Sequence, residues 1–106
     1  MSIIRLMKFT RPETISNDAI AQRLVVTREA LGLRQGEFAA RADIAANTYN
    51  QYEQGKNRIS LDKAIALCDE FGMTLDWIYR GEPSGLKVAL WDAIRAYVSA
   101  HNIQFP

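Results

Sequence analysis

Apolar residues along the chain recur at intervals of three and four, the period of a helix laid on a core. Ile20, Leu24 and Leu31 mark a first helix over residues 17–31, with Ser16 or Asn17 able to cap it and Gly32 to stop it. A short second helix, 35–42, turns Phe38, Ala39 and Ala42 inward. The third, 46–54, is anchored by Tyr49 and Tyr52. A fourth starts after Ser60 and runs to 71, with Leu61, Ala64, Ile65, Leu67, Cys68 and Phe71 giving a broad buried face. Thr74 caps a fifth, 75–79, and a turn at Glu82-Pro83-Ser84-Gly85 leads to a sixth, 86–100. Gly32, Gly55, Gly72 and Gly81 each follow a helical stretch, as left-handed stops do. Only residues 2–9 show a weak alternation, so the expected fold is all-α. Internal repeats and low-complexity tracts are absent.

Length and composition narrow the picture. With 106 residues, 48% of them apolar, the chain makes one domain with a real core. One Cys excludes a disulfide framework, and a single His makes a histidine metal site improbable, so no metal or cofactor is expected. No run of about 18 apolar residues offers a transmembrane helix. Nothing at the start resembles a signal peptide, which points to a soluble, cytoplasmic protein. The net charge is +1, distributed as +2 over residues 1–17, +1 over 18–60 and −2 over 61–106. An anionic partner would therefore meet the first 60 residues.

The second and third helices are separated only by Asp43-Ile44-Ala45. Such a tight turn sets two short helices at a large angle, a helix-turn-helix unit. Ala39 must be small where the third helix passes. Asp43 tolerates the sharp, left-handed bend. Ile44 and Tyr49 plug the angle from the core side. The stretch from Leu31-Gly32-Leu33-Arg34-Gln35 through Tyr52-Glu53-Gln54-Gly55-Lys56 resembles the phage-repressor/Cro type (XRE family) of helix-turn-helix proteins. Gln35, Ala39, Glu53, Gly55 and Lys56 match that family position for position, and 71–81 is similar to its last two helices. The chain departs from the family at Arg34, Gly36, Ala45 and Ile59. The expected architecture is a compact five-helix repressor-like domain over 18–81, an N-terminal arm over 1–17 and an additional C-terminal helix over 82–106.

The resemblance implies binding to double-stranded DNA through helix 46–54, and the residues support it independently. Ala46, Asn47, Thr48, Asn50 and Gln51 form an uncharged polar face opposite Tyr49 and Tyr52. Asn and Gln can read adenine through two hydrogen bonds, and Ala or Thr can meet a thymine methyl. Candidate phosphate contacts are Gln35 at a helix start, Lys56, Asn57 and Arg58 beyond the third helix, and Arg34 and Arg41. The family suggests that Glu53 pairs with Arg28 as a structural ion pair.

Leu90, Trp91, Ile94, Tyr97 and Val98 stripe the sixth helix, beginning with Leu86. That stripe either packs back on the domain or forms a dimer contact. The arm, with Arg5, Lys8 and Arg11, either packs there too or reaches for phosphate. His101 and Cys68 read as an exposed terminal residue and an inert core thiol, and no arrangement for an enzyme stands out. The sequence thus points to a DNA-binding transcriptional repressor acting as a homodimer. The alternative is an antitoxin-like or adaptor protein whose main partner is another protein.

Overall fold

The structure, a computed structural model, describes residues 12–105. Residues 1–11 of the arm, with Arg5, Lys8 and Arg11 and the alternating stretch 2–9, lie outside the described residues. After a 3-10 turn at Pro12–Thr14 come α1 (Asn17–Ala30), α2 (Gln35–Arg41), α3 (Ala46–Glu53), α4 (Leu61–Phe71), α5 (Asp76–Arg80) and α6 (Val88–Ala100). The fold is all-helical, and no strand occurs among the described residues.

Local chemistry starts the helices where short polar side chains precede them. Ser16 Oγ accepts from the Ala19 N–H at 3.1 Å, Ser60 Oγ from Lys63 at 3.3 Å, and Thr74 Oγ1 from Trp77 at 3.0 Å. Three helices lack such a cap, α6 among them, where Lys87 stands at the start. At α2 the Glu37 carboxylate instead accepts from the Arg34 N–H at 2.9 Å, and Ala45 gives α3 no side-chain acceptor. Asp43 takes φ +58°, the left-handed bend that the turn between α2 and α3 demands. α5 is a single π-helical turn, wider than an α-helix, and α6 begins two residues later than the pattern predicts.

A row of aromatic rings holds α2, α3 and α4 together. Phe38 stacks on Phe71 at 4.2 Å, leans on Tyr49 at 5.3 Å, and Tyr49 meets Tyr52 edge-on at 6.4 Å. Phe38, Ala39, Ala42, Ile44, Tyr49 and Tyr52 are all buried. Each fully buried large side chain contributes about 1.5–3 kcal/mol.

α1 is the central strut, touching α3, α5 and α6. Its inward face includes two polar residues that the apolar pattern conceals, Arg23 and Thr27. The Trp77 indole N–H donates to Thr27 Oγ1 at 2.9 Å, and that hydroxyl donates to the Arg23 carbonyl at 2.7 Å, so neither buried polar group is orphaned. Arg23 in turn donates from Nε and Nη2 to the Ile78 carbonyl, at 3.1 and 3.0 Å, near the open end of α5.

α6 packs back on its own domain. Leu86, Leu90 and Ile94 join the core, and Trp91, Tyr97 and Val98 lie half-buried against it. Trp91 meets Trp77 edge-on at 5.5 Å. Two apolar expectations are corrected. Leu61 and Ile65 are exposed at 56% and 41%, because α4 turns the stripe of Ala64, Leu67, Cys68 and Phe71 inward and these two sit on its flank. Leu31 likewise faces outward, since α1 has ended and the chain is already turning into α2.

Candidate nucleic-acid interface

A buried clamp fixes α3. Arg28 on α1 donates from Nε and Nη2 to the two carboxylate oxygens of Glu53, at 2.7 and 3.1 Å. Both side chains are nearly buried, and Arg28 Nη1 also donates to the Leu33 carbonyl at 2.8 Å, tying down the loop before α2. Gln35 Nε2 donates to Glu53 Oε1 at 2.9 Å. One carboxylate thus joins α1, α3 and the first residue of α2. The Tyr49 hydroxyl is buried beside Glu53 and Arg28, with no well-formed hydrogen bond among the described residues. Burial first, and then the Glu53 charge, push its phenol far above the ordinary tyrosine range, so it stays protonated.

The candidate base-reading residues lie on the part of α3 turned away from the buried Tyr49 and Tyr52. Ala46, Asn47 and Gln51 are exposed, while Thr48 and Asn50 are half-buried. Gln51 is not a freely rotating amide, because its Oε1 accepts a hydrogen bond from Asn57 Nδ2. That bond sets which end of the amide is oxygen and leaves both N–H donors and one lone pair for a ligand.

The candidate phosphate residues divide. Gln35, held by Glu53, places the start of α2 beside the end of α3. Arg34, Lys56 and Arg58 are exposed and form no ion pair among the described residues. Asn57 is turned back onto Gln51. Arg41 is engaged elsewhere, with Nη2 2.9 Å from Glu70 and its guanidinium 4.7 Å above the Phe71 ring. Neither the Arg41–Glu70 nor the Gln51–Asn57 pairing leaves a trace in the sequence pattern, since both depend on how separate elements come together.

Gly55 shows how tightly the end of α3 fits against α1. Its φ is +73°, and a Cβ there would run into the Asp18 carboxylate of α1, so no other residue fits without a shift. Residues 18–78, more than half of the chain, match a family model described as Helix-turn-helix. The protein belongs to the Cro/XRE-type helix-turn-helix family. It is a DNA-binding transcription regulator of that family, whose matched region is a regulatory and not an enzymatic domain. No curated protein and no solved structure matches the chain. Among the described residues no helix is long and apolar enough to cross a membrane.

Proposed function

We propose that this helix-turn-helix protein is a repressor that binds a pseudo-palindromic operator as a homodimer, with α3 in the major groove. The observation that carries this reading is the uncharged polar face of α3, a helix held by the Arg28–Glu53–Gln35 clamp. Gln51 reads adenine, donating from Nε2 to N7 and accepting from N6 with the lone pair that Asn57 leaves. Asn47 reads the neighbouring pair, Ala46 meets a thymine methyl, and Thr48 and Asn50 contact the groove edge. Arg34, Lys56 and Arg58 grip the flanking phosphates.

Specificity argues for two copies. So few exposed side chains read only a handful of base pairs, and each mismatch costs about 1–3 kcal/mol against roughly 10⁶–10⁹ competing sites. Two half-sites about one helical turn apart multiply the discrimination. Leu90 and Ile94 are engaged inside the chain, which leaves the outward parts of the half-buried Trp91, Tyr97 and Val98 on α6 for contact between copies. Occlusion of a promoter is the simplest outcome for such a protein.

Selection from random oligonucleotides with the purified chain tests the reading. A paired motif with half-sites about 10 base pairs apart is expected. Gln51→Ala should then weaken binding to that motif by about 1–3 kcal/mol and leave non-specific binding nearly unchanged. Absence of any enriched motif, or equal loss on every sequence, would defeat it.

A further inference from the structure

A second concave site lies away from the reading unit. It is a cavity of about 170 Å³ whose walls come from α1, α5, α6 and the segments flanking them, and not from α2 or α3. Trp77, Trp91 and Phe105 supply its apolar surface, with Phe105 edge-on to Trp77 at 5.9 Å. Arg23 supplies its charge.

Arg23 is only 3% exposed, yet no carboxylate among the described residues pairs with it. Its Nε and Nη2 are taken by backbone carbonyls, Nη2 reaching Thr14 O at 2.6 Å as well as Ile78 O. Nη1 donates to no acceptor among the described residues. It borders Gly81, where a Cβ would come within 3.1 Å of it, so glycine keeps this nitrogen uncovered on the cavity wall. Burial pulls the guanidinium down to about 10, which still leaves it cationic at neutral pH. A buried cation with two neutral acceptors and one uncovered donor is incompletely compensated, and an anion would complete it. Arg80 also lines the cavity and adds positive potential, tempered by Asp76 at 3.4 Å.

We propose that this cavity binds a small planar carboxylate, one six-membered ring in size, with the carboxylate on Arg23 Nη1 and the ring among Trp77, Trp91 and Phe105. The volume fits, since an apolar cavity of about 150 Å³ admits benzene. Aromatic walls favour a flat, π-bearing body. The ligand would join α1, α5, α6 and the C-terminal segment, and so stabilise the folded chain by mass action.

The two tryptophans in the chain are Trp77 and Trp91, so indole emission reports on the cavity. The unaltered chain is titrated with sodium benzoate at constant ionic strength, following emission and thermal denaturation. A saturable emission change with one site per chain, and a rise in Tm, are expected. Arg23 also anchors Ile78 and Thr14, so replacing it would mix binding with stability. The charge is therefore tested on the ligand. Benzamide, which has the same shape without the charge, should bind at least about tenfold more weakly. A non-saturable response to benzoate, or equal binding of benzamide, overturns the proposal.

Discussion

At Glu53 two elements besides its own meet on a single carboxylate. Its side chain is 5% exposed, so each partner removed leaves charge or polarity uncovered in a poorly solvated place. Arg28→Ala is expected to cost about 3–5 kcal/mol of stability, read by denaturant unfolding, because it strands a buried carboxylate. Gln35→Ala should cost less, about 1.5–3 kcal/mol, and its effect should shrink once Arg28 is gone. Near-zero coupling in that double-mutant cycle would show that the three side chains do not act as a unit. The ion pair was legible beforehand through the family pattern. Gln35 as its third member was not, because a helix-start glutamine looks the same whether it faces phosphate or a neighbouring carboxylate. Arg41 shows the same blindness: its partner Glu70 is 29 positions away on another helix, and charge in a sequence does not name its counter-ion.

Helix ends and helix interiors give a second set of expectations. Gly36 lies inside α2 with open space where a Cβ would sit, so Gly36→Ala should stabilise the protein by about 0.5–1 kcal/mol. Ala45→Ser supplies the acceptor that α3 lacks, for a gain of about 1 kcal/mol. Both are read as shifts of the unfolding midpoint at unchanged slope, and a loss in either would mean that docking geometry overrides local helix preference. Elements were the most legible level of this protein. Ser16, Ser60 and Thr74 cap where they were expected to, since capping is decided within three residues. The outward flank of α4 at Leu61 and Ile65 was not legible, because the period of a helix tells which residues share a side and leaves open how far round the core will reach. The π-turn of α5 had no signal either. Its geometry is set by what it packs against, including the Arg23 side chain from α1.

For the whole molecule, near-neutral charge makes the few unpaired cations count. With Arg34, Lys56 and Arg58 on phosphates, log affinity should fall with log salt at a slope of about −3 per protomer. Arg58→Gln should flatten that slope by about 1, whereas Arg41→Gln, whose charge is held by Glu70, should leave it unchanged. Equal effects from the two would put Arg41 back among the phosphate contacts. Binding measured over a range of chloride concentrations reads both. The return of α6 onto α1 bears on the order in which this protein is made. Gln22 donates to the carbonyl of Gln104 at 3.1 Å, across 82 positions, so α1 is closed by a stretch of chain synthesised well after it. At about 5–20 residues per second, the segment beyond Gly81 follows the helix-turn-helix core by roughly 1–5 s. Throughout that interval the indole of Trp77 and the flank of α1 that α6 will cover face water. The helix-turn-helix unit is thus complete in length while that flank is still bare, and it gains its cover only when α6 is made and packs onto α1.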